Sequence, residues 1–340
     1  TPFVYNSYHH SSRTAVSVYQ LSCKPIVITT YGMLHAKPHH KLLSIRWSRI
    51  IFDEGHHMRN EVTKVTRGCS QLKSDVRWIL TGTPINNTKH DLVSLCDILR
   101  IPHRDLACHF LRRTKEEVGI VLPPLHIENV HVDWQCEKEE LTSRQIHAYF
   151  NFSKVNDSGE VQDIIFRLRN QSFGALVRMR QMCILPTLLR DPIQRIQEET
   201  GMSFSHTLRH TSKLQAVLDK LDNNKNRDTR KLVFCHYHAE MDYLQQHLVM
   251  KGIQCSIIDG RTSKRDVNAL ITSGLSKLDF KLICKKWYYN SYVYPIMKSF
   301  LCPDVLLIQI QTGCEGLNLQ HFTEIYFTSP HWNPAVDDQA

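Results

Sequence analysis

The stretch Ser48-Arg49-Ile50-Ile51-Phe52-Asp53-Glu54-Gly55-His56-His57 passes abruptly from apolar to acidic. Arg49 to Phe52 is short and β-rich and reads as a strand. Two adjacent carboxylates follow it directly. In open parallel sheets, ligands bind beyond the carboxyl ends of the strands. An Asp in that place can hold the Mg²⁺ that bridges nucleotide phosphates, and a neighbouring Glu can orient or deprotonate an attacking water. A helix N-cap acid is the other reading of the same pair.

The surrounding chain repeats this pattern. Further β-rich runs with polar flanks are Pro25–Thr30, Arg77–Leu80, Lys231–Phe234, Ile253–Ile258, Val305–Ile310 and Glu324–Phe327. Their length predicts strands buried on both faces. Between them, Ser212–Leu221 carries Leu214, Val217, Leu218 and Leu221 at helical spacing, and Glu240–Leu248 carries Met241, Leu244 and Leu248. Strands alternating with helices predict an α/β architecture with parallel sheets. The strands fall into two groups, before residue 100 and after residue 230, with a more helical region between. Leu122-Pro123-Pro124-Leu125 is a rigid break suited to a domain border. The expected organisation is an N-terminal lobe over residues 1–125, a helical linking region over 126–210 and a C-terminal lobe over 211–340.

Composition narrows the chemistry. The 340 residues are enough for two domains and carry a formal charge of +9, which favours a polyanionic partner such as nucleic acid. No apolar run approaches the ~18 residues of a membrane span, so no membrane association is expected. The eleven cysteines include no C-x-x-C pair, so no zinc site of the ribbon or RING type is expected. Cys235-His236-Tyr237-His238 reads as a polar strand end in preference to a metal site. The pairs His9-His10, His39-His40 and His56-His57 look metal-like, but adjacent side chains on a strand or helix point apart.

Two further stretches carry chemistry. Thr81-Gly82-Thr83-Pro84-Ile85-Asn86-Asn87 makes a polar turn at a strand end. Gly313 and Gly316 in Gln311–Leu319 permit close backbone approach to a phosphate.

Taken in order, these segments resemble the Swi/Snf-like branch of the superfamily-two helicase ATPases. Ile28–Tyr31 resembles motif Ib, Asp53-Glu54-Gly55-His56 motif II, and Thr81–Asn87 motif III. Arg112–Lys115 with Leu122–Pro124 is similar to the passage linking the two lobes, and Arg178–Cys183 resembles a helix preceding the second lobe. Asp259–Ser263 resembles a turn after a lobe-two strand. Gly316–Leu319 and Trp332-Asn333-Pro334 resemble motif V and the approach to motif VI.

The resemblance implies two RecA-like lobes binding ATP and Mg²⁺, and a motor that tracks along double-stranded DNA and moves it or the chromatin and other proteins on it. On that basis Asp53 holds Mg²⁺ and Glu54 activates water. Thr81, Gly82 and Thr83 couple nucleotide state to DNA grip, while Gly313, Gly316 and Gln339 lie on the nucleotide side of lobe two. Thr29, Thr30, Arg261 and Thr262 touch the DNA backbone, a mode of contact that reads no bases. The implied location is the nucleus, or a site of viral DNA replication.

The sequence also departs from the family pattern. It contains no G-x-x-x-x-G-K-[ST] loop and stops at Gln339-Ala340. The expectation is therefore a fragment that begins within lobe one, after the phosphate loop, and ends before the arginines of motif VI. A non-catalytic nucleic-acid-binding fragment and an RNA helicase are the alternatives. Residues 272–304 are expected to be an insertion. Their Lys285-Lys286-Trp287-Tyr288-Tyr289 cluster is either single-strand-binding or surface. Arg112, Arg113 and Lys115 either face DNA or form a solvated helix face.

Overall fold

The computed structural model describes residues 2–5, 16–34, 41–85, 88–150, 173–201, 211–224, 229–263, 303–313 and 317–332, with residues 266, 267 and 270. The chain divides into two compact units, residues 1–126 and 127–340. The division falls just past Leu122–Leu125.

In the first unit, β1 (Phe3–Tyr5) pairs in parallel with β2 (Val27–Thr29), and β3 (Arg46–Phe52) pairs in parallel with β4 (Lys73–Ile79). Helices α1 (Val18–Ser22), α2 (Lys64–Gln71), α3 (His90–Leu99) and α4 (Leu106–His109) accompany them. The Ser17 side chain caps α1 by accepting from the Gln20 N–H, and Thr63 caps α2 by accepting from Thr66. One core gathers Tyr5, Leu21, Leu34, Phe52, Met58, Cys69, Leu95 and Ile98. Gly68 lets α2 approach the turn Tyr31–Leu34. A Cβ there would come within 2.0 Å of the Leu34 carbonyl oxygen.

These strands differ from the expectation of burial on both faces. Ile50, Phe52 and Ile79 point into the core. Among the described residues the opposite face of β3–β4 carries exposed Arg49, Ile51, Val76 and Trp78. Arg49 pairs with Val76 and Ile51 with Trp78 in the ladder, and the Arg49 guanidinium lies 4.7 Å from the centre of the Trp78 ring. That stack covers part of the indole with a side chain whose charge stays in water.

The second unit follows the expected α/β plan, except that Ile325 and Phe327 of the edge strand Glu324–Phe327 are exposed, so that strand is not buried on both faces. Its sheet is parallel, in the order β6 (Cys255–Ile258), β7 (Val305–Gln309), β5 (Lys231–Cys235), β8 (Glu324–Phe327). Side-chain alternation splits the two central strands between two cores. Val233, Cys235, Val305 and Leu307 join one, with Leu214, Leu218, Leu221, Met241, Leu244 and Leu248. Leu232, Phe234, Leu306 and Ile308 face the other, with Leu270, Ile310 and Phe322. Full burial of such side chains contributes ~1.5–3 kcal/mol each before entropy.

Five helices and a short turn of helix complete this unit among the described residues. They are α5 (Glu137–Phe150), α6 (Phe173–Ile184), α7 (Arg190–Thr200), α8 (Ser212–Asn223), α9 (His238–Met250) and the short α10 (Ile310–Gly313). Helices α5 to α7 lie in the same unit as the sheet. Thr211 caps α8 and donates its hydroxyl to the Ile184 carbonyl at 2.7 Å, tying α8 to α6. Buried Glu139 of α5 accepts from the Ser212 amide and hydroxyl.

Arg112, Arg113 and Lys115 are exposed on a loop and the turn that follows it, not on a helix. Leu122–Leu125 lies in neither helix nor strand and is exposed. His9-His10, His39-His40, Asn86-Asn87, residues 272–302 of the expected insertion with the Lys285–Tyr289 cluster, Asn333 and Pro334 lie outside the described residues.

Candidate nucleotide and DNA site

The acidic pair sits where β3 ends. Leu80 N–H donates to the Phe52 carbonyl at 2.8 Å, and Gly55 N–H donates to the Leu80 carbonyl at 2.9 Å. The β3–β4 ladder thus continues past both strands and fastens the Asp53–Gly55 turn to the start of the Thr81–Thr83 turn. Gly55 is required at this seam. A Cβ would lie 2.2 Å from Cγ2 of Ile79. Within the second turn, the Thr83 N–H donates to Thr81 Oγ1 at 3.2 Å.

Tyr31 reaches the same turn from the end of β2. Its hydroxyl donates to the Asp53 main-chain carbonyl at 2.6 Å. Burial pushes the Tyr31 hydroxyl well above its usual pKa, with further upward contributions from Cys69, Asp53 and Glu54, so it remains a donor. The Asp53 side chain is exposed, and its Oδ1 accepts from the Glu54 N–H at 3.1 Å. Glu54 adopts a left-handed conformation, φ 50° and ψ 53°. For a non-glycine residue this costs ~1–2 kcal/mol. The Glu54 side chain lies beside His56, whose Nδ1 is 3.3 Å from Glu54 Oε2. His56 is itself buried.

An exposed carboxylate at a strand end supplies the hard oxygen donor that Mg²⁺ takes alongside phosphate oxygens. Among the described residues no group of three or more His, Cys, Asp or Glu side chains could hold a metal ion by itself. Among them also, no helix is long and apolar enough to cross a membrane.

The expected DNA contacts divide. Thr30 is exposed beside Tyr31, but the hydroxyl of Thr29 is buried without a hydrogen-bond partner. In this conformation Thr30 is open to solvent and the Thr29 hydroxyl is not. In the second unit, Arg261 and Thr262 form the turn after β6 around buried Asp259. Asp259 accepts from the Arg261 N–H at 2.8 Å, from Arg261 Nε at 2.7 Å and from Nη2 at 2.6 Å. The Thr262 hydroxyl accepts from the Asp259 N–H at 3.0 Å. His238 Nδ1, at the start of α9, lies 3.1 Å from Asp259 Oδ2. Burial opposes ionisation of Asp259, but the Arg261 hydrogen bonds and charge outweigh it and hold the pKa at about 2.

Gly313 ends α10, directly after β7, so it lies at the carboxyl edge of the second sheet. Gly316 and Gln339 lie outside the described residues. The sequence reading missed the roles of Tyr31, His56 and Asp259. Tyr31 and Asp259 stand inside the quoted segments Ile28–Tyr31 and Asp259–Ser263, so position alone could have marked them.

Residues 1–110 match the family model described as SNF2-related domain. The chain is 27% identical to the probable global transactivator of Orgyia pseudotsugata multicapsid polyhedrosis virus, over 92% of this chain and 63% of that protein. It is 24% identical to the CHD3-type chromatin-remodeling factor CHR7 of Arabidopsis thaliana, over 93% of this chain and 25% of that one. It is 26% identical to the DNA repair and recombination protein RAD26 of Saccharomyces cerevisiae, over 93% of this chain and 29% of that one. The chain therefore spans between a quarter and just under two thirds of the length of these relatives. In fold it is similar to the Pyrococcus furiosus Hef helicase domain, with a TM-score of 0.51 at 15% identity over 99% of this chain and 76% of that one. These matches make the chain similar to the Swi/Snf-like ATPases, with the likeness to the SNF2-related domain in residues 1–110.

Proposed function

We propose that the protein is an ATP-driven motor that translocates along double-stranded DNA and remodels what is bound to it. The observation that carries this reading is the backbone ladder that joins the Asp53–Gly55 turn to Leu80 and the Thr81–Thr83 turn. Asp53 offers the carboxylate for Mg²⁺ beside ATP, and Glu54 orients the attacking water. Thr81, Gly82 and Thr83, which follow directly on Leu80 of the same seam, feel any movement of the acidic turn and pass it on to the DNA grip. When bound, Mg²⁺ neutralises charge on the transferring phosphate oxygens. On the second lobe, Gly313, Gly316 and Gln339 are assigned to the nucleotide side.

DNA is held by backbone contacts from Thr30, Arg261 and Thr262, with Asp259 fixing the direction of Arg261. Thr29 contributes its backbone at the end of β2, since its hydroxyl is buried. The charge of +9 suits a phosphate polyanion. Lobe one is assigned to residues 1–125, the linking helices to 126–210 and lobe two to 211–340. Relatives named for chromatin remodelling and DNA repair favour duplex DNA over RNA as the track, and favour the nucleus or a site of viral DNA replication as the location.

The test is ATP turnover by the full-length natural protein, with and without duplex DNA or RNA. Stimulation by duplex DNA well above that by RNA is expected. No stimulation by DNA contradicts the translocase reading. Residues 1–340 contain no Gly-Lys phosphate loop. On their own they are expected to bind DNA without turning over ATP, and robust turnover by them would refute that.

A further inference from the structure

Arg180 occupies a position that the proposed function leaves unused. It lies on α6, and the turn that follows β8 lies against it. Arg180 Nε donates to Ser329 Oγ at 3.2 Å, and Nη2 donates to the Pro330 carbonyl. The guanidinium carbon lies 4.7 Å from the centre of the Trp332 ring. His236, at the end of β5, meets the same turn. Its Nε2 lies 2.8 Å from the Ser329 carbonyl and 2.7 Å from Arg180 Nη2. The His236 and His331 rings stack, 6.1 Å apart and 15° from parallel.

The supports beneath are also fixed. Glu240, fully buried in the first turn of α9, accepts from the His236 and Tyr237 N–H groups at 2.9 and 3.1 Å. Thr328 donates its N–H and its hydroxyl to the Phe234 carbonyl. The turn Thr328–Trp332 is therefore clamped between the end of β5 and helix α6. It stands at the carboxyl edge of a parallel sheet, the edge at which such sheets bind ligands.

We propose that Arg180 is a positioning residue, which holds the turn Thr328–Trp332 in the geometry needed for ATP turnover. The role rests on the ATPase reading. It requires arginine itself. One planar guanidinium donates to a hydroxyl and a carbonyl while its face covers the indole. A lysine ammonium is a point charge without that fork or that face. The segment Arg178–Cys183 and the segment beginning at Trp332 are far apart in sequence, and this contact gives both a common purpose.

The experiment compares full-length protein with its Arg180→Lys and Arg180→Ala variants. Trp332→Phe serves to isolate the fluorescence of Trp332 by difference. The first readout is acrylamide quenching of Trp332, with melting temperature as a control for folding. The second is kcat and KM for DNA-stimulated ATP turnover. Expected are stronger Trp332 quenching in both variants and a kcat lower by about 10- to 100-fold, as for a misplaced catalytic geometry. KM for ATP should stay within about twofold, and lysine should not rescue. Should Arg180→Ala fail to fold, Arg180→Lys carries the test. Wild-type quenching and kcat in Arg180→Lys would overturn the proposal. If the unmutated protein turns over no ATP, the ATPase reading fails separately. Quenching then still decides whether Arg180 holds the turn, since an unchanged Trp332 signal refutes the clamp.

Discussion

The Gly55 N–H donates to the Leu80 carbonyl at 2.9 Å, and no side chain larger than hydrogen fits at Gly55 beside Ile79. Gly55→Ala therefore forces Ile79 or the seam to move. A loss of about 1–3 kcal/mol is expected, typical of overpacking. Denaturant unfolding of Gly55→Ala, Ile79→Ala and the double variant measures it. Because Ile79→Ala removes the clashing Cγ2, the double variant should lose less stability than the sum of the singles. Strict additivity would place the clash elsewhere.

Glu54 carries a strain that its function has to justify. Glu54→Gly relieves the left-handed penalty but adds freedom to the unfolded chain. The net change expected in stability is small, between zero and a gain of about 1 kcal/mol. Thermal unfolding measures it, and a loss of more than 1 kcal/mol would show that the Glu54 side chain stabilises this turn.

The Thr29 hydroxyl is buried without a partner, an unfavourable state for a polar group. Thr29→Val keeps the branched shape preferred in a strand and should raise stability by about 1 kcal/mol. Duplex binding should be unchanged in Thr29→Val and weakened in Thr30→Ala. Titration of each variant with labelled duplex checks this, and a loss of DNA affinity in Thr29→Val alone would show that the hydroxyl turns outward on binding.

Asp259 sets an acid limit on the turn carrying Arg261. Its folded pKa of about 2 lies below the ordinary 3.8, so ionised Asp259 favours the folded state. That contribution is complete above about pH 4 and is lost as pH falls toward 2. Denaturation midpoints of the natural protein and Asp259→Asn should differ most at neutral pH and converge toward pH 2. A difference that stays constant over that range would mean the carboxylate is not held by Arg261.

The second sheet was legible in the sequence because both faces of β5 and β7 are buried. Every residue from Leu232 to Cys235 is apolar for that reason, and the runs stand out. The first sheet was less so. Arg49 and Trp78 stand on an exposed face and stack on each other, so the apolar runs there mark only one buried face. β1 was overlooked because three residues, Phe3–Tyr5, leave too short a run to read. The acidic pair announced itself by its place after an apolar run. The Tyr31 hydroxyl bond to the Asp53 carbonyl and the Arg180 contacts join segments distant in sequence, and no local pattern encodes such pairings.

The proposed function places ATP hydrolysis at the turn Asp53–Glu54. Its most direct test is Mg²⁺-dependent nucleotide binding and DNA-stimulated turnover in full-length Glu54→Gln and Asp53→Asn. Glu54→Gln is predicted to bind nucleotide normally and to lose turnover. Asp53→Asn should lose the Mg²⁺ dependence of binding as well. Turnover at the natural rate in both variants would contradict the account.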